Sequence, residues 1–154
     1  MSYFLQLRAR IGKELLVYPI ASAVIKNDKD EILLTKARNS MYWSFPGGGI
    51  EPSETMIQAV KREVKEEINM VIDVEKLLAI YTSAEFDYTY ENGDPIHPIF
   101  FVMKCTVLEK GEFMPSSEIE AYNFFNRTNL HPLRKCCLQK VIDSYSNTQS
   151  LILR

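Results

Sequence analysis

Four glutamates (Glu54, Glu63, Glu66 and Glu67) and one arginine (Arg62) follow closely on three consecutive glycines, Gly47, Gly48 and Gly49. Carboxylate oxygens gathered in one place select hard divalent cations such as Mg²⁺ or Mn²⁺. A glycine-rich backbone lets an ion or a phosphate come close, because no Cβ stands in the way. Carboxylate-held metal beside such a loop makes a site for a polyphosphate.

A helix is expected over residues 54–68, with Ser53 as its N-cap and Glu54 in its first turn, where the dipole favours an anion. Each helical residue turns the chain by about 100°, so Glu63 and Glu67 share a face about 40° wide and Glu66 lies about 60° to the other side of Glu63. Ile57, Val60, Val64 and Ile68 form the apolar stripe, which Glu63 and Glu67 border. Carboxylates this close repel one another, and a divalent cation would offset that. Arg62 points away from Glu63 and is better placed to reach back toward Glu54. The plainer alternative is a solvated acidic helix with incidental glycines. Loop, cap, Arg–Glu pair and carboxylate spacing coincide here, which argues against it.

The segment resembles the Nudix box, G-x5-E-x7-R-E-U-x-E-E-x-G-U, with U a bulky aliphatic residue. Gly48 and Glu54 match its first two fixed positions. Arg62-Glu63-Val64 matches R-E-U, Glu66-Glu67 the acidic pair and Met70 the last aliphatic position. Asn69 stands where the family has glycine; asparagine tolerates the left-handed conformation that ends a helix there. Trp43-x-Phe45-Pro46-Gly47 is also typical of the approach to this box. The resemblance implies an α+β fold, a Nudix-type α/β/α sandwich with a mixed sheet, the box loop and helix, and a C-terminal helix. It further implies Mg²⁺-dependent hydrolysis of a pyrophosphate bond in a nucleoside diphosphate linked to another group. Candidate substrates are nucleoside triphosphates, dinucleoside polyphosphates, ADP-ribose and nucleotide sugars.

In that reading Glu63 and Glu67 are the core metal ligands. Glu66 is a further ligand or positions the water, and the Gly47 carbonyl also coordinates. Arg62 and Glu54 keep loop and helix in register, while Gly48 and Gly49 border the substrate. The general base of such enzymes often lies outside the box; Glu118 is the first candidate, with Glu120 and Glu85 behind it. Tyr81, Phe86, Tyr88 and Tyr90 offer rings for stacking on a base, Tyr88 foremost, although most of them are expected in the core. The proline typical of ADP-ribose hydrolases would fall near Phe86 and is absent. His97 and His131 carry no partner pattern. A contrasting function is a nucleotide-sensing module of the same fold. Such modules usually lose box carboxylates, and this chain retains all of them.

The elements that must position these residues follow from periodicity. Residues 2–10 read as a short helix. Residues 16–26 and 31–36 read as a hairpin about the Asn27–Asp30 turn, and 42–46 as a short strand leading into a flexible glycine loop. Strands follow at 71–80 and 84–90, and a hairpin turn at Asn92-Gly93. A long apolar strand over 96–108 belongs in the middle of a sheet, and 119–125 is another strand. Residues 132–146 read as a helix with Pro132 near its first turn and Leu133, Cys137, Val141 and Tyr145 as its buried stripe. The 154 residues suggest a single domain, 1–154. The net charge of -2 points to no bulk binding of nucleic acid or membrane. Cys105, Cys136 and Cys137 suit neither zinc nor a disulfide framework, which leaves reduced thiols in a cytoplasmic protein. The apolar N-terminal segment offers one surface for a homodimer.

Overall fold

The computed structural model describes residues 2–146 and 149–154. Its centre is the strand the sequence places there. β7 (Pro95–Lys110) alternates buried and half-buried side chains from Pro95 to Val102, and it is flanked by β1 (Leu16–Ile25) in parallel and β5 (Met70–Tyr81) antiparallel. β4 (Gly47–Gly49) extends the sheet beyond β1, β9 (Ile152–Leu153) extends it beyond β5, and β6 (Tyr88–Thr89) pairs with β7. A second sheet holds β3 (Trp43–Ser44), β2 (Ile32–Ala37) and β8 (Ile119–Phe125) in the order β3-β2-β8. No helix among the described residues is long and apolar enough to cross a membrane.

Alternation in β1 sends side chains to two cores. Ala21, Ala23 and Ile25 face α2 (Met56–Ile68), meeting Ala59, Val60, Val64 and Ile68. Small residues there let the helix lie close to the sheet. Tyr18, Ile20 and Val24 face the other side, where α3 (Lys135–Ser144) contributes Cys136, Cys137 and Val141, and α1 (Tyr3–Ile11) contributes Phe4 and Leu7. Helices on both faces of a mixed sheet make the expected α+β sandwich.

Several local expectations are corrected. β1 and β2 do not form a hairpin ladder; one bridge, Lys26 to Ile32, joins them before they part into different sheets. Both edges of β1 are already taken, by β4 and β7, so β2 pairs with β3 and β8 instead. The glycines are not a loop but strand β4, with Ser22 opposite Gly47 and Ala21 opposite Gly48. α2 starts later than expected. Thr55 is its N-cap, accepting from the Gln58 amide while the Gln58 side chain accepts from the Thr55 amide. This reciprocal box satisfies two otherwise orphaned donors and outcompetes Ser53, which sits at φ 67° in the preceding turn. Ile57 is exposed, and Ala59 takes its place on the buried face. α3 also starts late, because the Trp43 amide donates to Pro132 O and Trp43 bridges Leu133, holding that segment extended. Residues 84–86 form a single 3-10 turn rather than strand. The tail strand β9 went unforeseen; its two residues carry too little pattern.

Candidate active site

Gly47 and Gly48 set how closely the site can be built. Gly47 has φ 141°, and a Cβ there would run into the Ala21 carbonyl. A Cβ on Gly48 would lie 2.5 Å from the Glu63 carboxyl carbon. β4 therefore presses its backbone directly against the acidic face of α2, and no larger residue allows that approach. The Gly47 amide donates to Glu67 Oε2 at 3.0 Å.

Arg62 is the hub. It grips Glu54 through two bonds, Nε to Oε1 at 2.8 Å and a terminal nitrogen to Oε2 at 2.9 Å, and also donates to the Gly49 carbonyl at 3.1 Å. The expectation that it turns away from Glu63 is corrected: its other terminal nitrogen lies 2.7 Å from Glu63 Oε1 and 3.3 Å from Glu66 Oε2. A long, flexible side chain can bend back along its own helix where Cβ directions alone suggest otherwise. Glu54 also accepts from the Glu51 amide at 3.0 Å, so the turn before α2 is tied to the helix at its far end.

The charges respond accordingly. The Arg62 guanidinium holds Glu54 below the usual carboxylate range. Burial raises Glu63 against the pull of Arg62. Burial raises Glu67 well above its ordinary value; the Gly47 amide opposes this, while repulsion from Glu63, Glu118 and Glu66 adds to it. Carboxylates crowded this way in a partly buried place call for positive charge.

A cavity of about 460 Å³ opens beside them. Of the expected site residues, Gly47, Gly48, Gly49, Arg62, Glu63, Glu66, Tyr88 and Glu118 line it. Glu54 and Glu67 stand behind this lining, held by Arg62 and by Gly47 respectively. Glu118, just before β8, is exposed and close enough to repel both Glu63 and Glu67. Glu120 and Glu85 do not line the cavity, and Glu85 pairs with Lys135 at 2.8 Å. Tyr88 donates to the Tyr90 hydroxyl at 3.2 Å, and both rings border the cavity. Tyr81 and Phe86 are core residues in contact with each other. His97 pairs with Asp87, and His131 stacks on Trp43.

The donor set fits a hard divalent cation: every candidate ligand is an oxygen, and Gly48 lets the Glu63 carboxylate lie against the glycine strand. Among the described residues no three acidic, histidine or cysteine side chains converge as a finished metal cage, and Arg62 engages Glu63 and Glu66.

The sequence reading missed Lys140 and Ser22 and gave Cys136 and Cys137 no role at the site, yet all four line the same cavity. Lys140 carries no signal of this in the sequence, because a lysine beside the apolar stripe of a helix ordinarily lays its stem along that face and keeps its ammonium in water.

A sheet with helices on both faces carries an acidic helix locked against a glycine strand, beside a cavity lined by carboxylates. The model of the NUDIX domain matches residues 18–141, and the chain belongs to this family. It is 33% identical over 125 residues to the ADP-ribose pyrophosphatase of Methanocaldococcus jannaschii, an alignment covering 79% of this chain and 69% of that protein. The solved structure of an ADP-ribose pyrophosphatase from Streptococcus suis superposes with a TM-score of 0.70 at 26% identity, covering 89% of this chain and 98% of that one. The structure of a UDP-X diphosphatase shares the fold, with a TM-score of 0.74 at 22% identity over 98% of this chain and 73% of that one. The class is thus that of Nudix pyrophosphohydrolases, enzymes that generally use divalent cations and act on small nucleotide derivatives.

Proposed function

We propose that residues 1–154 act as one Nudix unit that hydrolyses, with Mg²⁺, the pyrophosphate bond of a nucleoside diphosphate linked to another moiety. The observation that carries this reading is the crowding of carboxylates at the glycine strand, with Glu63, Glu66 and Glu118 lining the cavity and Glu67 held behind them by the Gly47 amide. Glu63 and Glu67 would hold the cation, with Glu66 and the Gly47 carbonyl as further oxygen donors. Bound there, the cation supplies a lowered pKa for water and a shield for phosphate charge. Arg62, anchored on Glu54 and Gly49, keeps α2 in register with β4. Gly48 and Gly49 border the cavity, and their lack of a Cβ lets the Glu63 carboxylate and the Tyr18 hydroxyl come against the backbone. Glu118 accepts the proton of the attacking water, and Tyr88 offers a ring edge to the nucleoside. The three unpaired thiols suit a reducing cytoplasm.

The test is Mg²⁺-dependent release of nucleoside monophosphate from a panel of ADP-ribose, nucleoside triphosphates, dinucleoside polyphosphates and nucleotide sugars. ADP-ribose comes first, because a relative sharing a third of its residues bears that name. Turnover is expected for at least one compound, and Glu67→Gln should abolish it while circular dichroism stays unchanged. Full activity in that variant would remove Glu67 from the mechanism. Tight binding without turnover across the panel would favour a sensor instead.

A further inference from the structure

We propose that Lys140 is a substrate-contacting residue, the cation that receives phosphate oxygens of the bound nucleoside diphosphate group; this rests on the hydrolase reading above. Lys140 is 2% exposed on α3, yet it borders the cavity. Its ammonium donates to Ser22 Oγ at 2.9 Å and lies 3.7 Å from the centroid of the Phe100 ring, with the Phe45 ring at 5.8 Å. No carboxylate forms an ion pair with it among the described residues. Burying an ammonium without a counter-ion is costly, and a single hydroxyl with aromatic faces offsets only part of that cost. A fold keeps such a group where a ligand brings the missing charge.

The other cations of the cavity are already committed. Arg62 is shared among Glu54, Glu63 and Glu66, and Arg134 pairs with Glu91 at 3.0 Å while lying over the Tyr88 ring. The remaining charged groups of the lining are acidic. A polyphosphate entering this cavity therefore finds one uncommitted positive charge among the described residues, and its position is telling. Ser22, which Lys140 contacts, is the strand partner of Gly47, the glycine that also holds Glu67. Lys140 thus approaches from α3, on the face of β1 opposite α2, so that phosphate oxygens lie between the carboxylates and this ammonium.

The experiment compares the wild-type protein with Lys140→Met and Lys140→Gln, the second retaining a donor for Ser22. Calorimetry with MgCl₂ present would measure binding of α,β-methylene-ADP, of adenosine and of Mg²⁺ alone. Thermal unfolding would be followed without ligand. Both variants should bind α,β-methylene-ADP about tenfold or more weakly, the loss of a hydrogen bond to a charged group. Adenosine and Mg²⁺ binding should be unchanged, and thermal midpoints equal to or above wild type, since an unpaired buried charge has gone. Unchanged α,β-methylene-ADP affinity, a parallel loss for adenosine, lowered midpoints in both variants, or no wild-type binding of the analogue would each overturn the proposal. If the wild type binds the analogue in a Lys140-dependent way but hydrolyses nothing on the panel, the hydrolase reading fails and Lys140 stands. If it hydrolyses a panel compound and both variants keep its KM, Lys140 fails and the reading stands.

Discussion

Arg62 shows how one residue can satisfy several demands at once. Its fork meets Glu54 at two points and still reaches Glu63, Glu66 and the Gly49 carbonyl. Lysine offers a point charge and cannot reproduce that geometry. Arg62→Lys should therefore keep the fold but lower kcat for whichever compound the wild type hydrolyses, by about tenfold, in line with losses seen when groups orienting metal ligands are removed. An unchanged kcat would mean that the register of α2 does not depend on the fork. Glu118 differs in kind, being exposed and bonded to the protein mainly through its backbone. Glu118→Gln should cost about 100-fold or more in kcat with little effect on the thermal midpoint, as expected for a general base. A loss confined to KM would place it in substrate binding instead.

Among the elements, α2 and β4 act as a pair, and each depends on a local device. The Thr55–Gln58 box fixes where α2 begins, so that Glu54 falls before the helix and is free to meet Arg62. Thr55→Ala should lower stability by about 1 kcal/mol, measured by denaturant unfolding. The other end is closed by Asn69 at φ 53°, whose side chain accepts from Lys65 and donates to the Glu112 carbonyl. Asparagine thus closes α2 in the left-handed conformation, and adds a tie to the segment after β7. Gly48→Ala probes the contact between β4 and α2 directly. Its methyl would occupy the space of the Glu63 carboxylate, so activity should fall steeply while far-UV circular dichroism stays native.

At the scale of the whole molecule, the last residues join the edge of the sheet and tie it to α3. β9 pairs with β5, and the Arg154 guanidinium meets Asp143 on α3 at 2.7 and 2.8 Å. Tyr81 and Gln139 donate to the same carboxylate. Burial opposes ionisation of Asp143, but the hydrogen bonds from Arg154, Tyr81 and Gln139 outweigh it and hold the group below its usual value. The folded pKa is thus lower than the unfolded one. The stabilisation is fully present above the unfolded value of about 4 and is lost as pH falls through the folded pKa. Thermal midpoints followed from pH 6 downward should drop on acidification in the wild type, and drop less in Asp143→Asn, which starts lower. Parallel curves for the two proteins would show that Asp143 does not carry this dependence.

The box was legible because its chemistry is local. Carboxylates at helical spacing, an arginine within reach of Glu54 and consecutive glycines are all set by distances along one stretch of chain. The long apolar run around β7 likewise announced a central strand, since burial on both faces leaves a compositional trace. Other features depended on partners far away in sequence. The glycines became a strand only because the β1 edge lay open to them, and β2 left β1 because that edge and its opposite were both filled. Glu118 and Lys140 joined the cavity from the segment before β8 and from α3, where neither residue's neighbours in sequence hint at phosphate. Spacing along the chain thus determined which groups could bind a metal. Packing between the sheets and helices decided which others stand close enough to work with them.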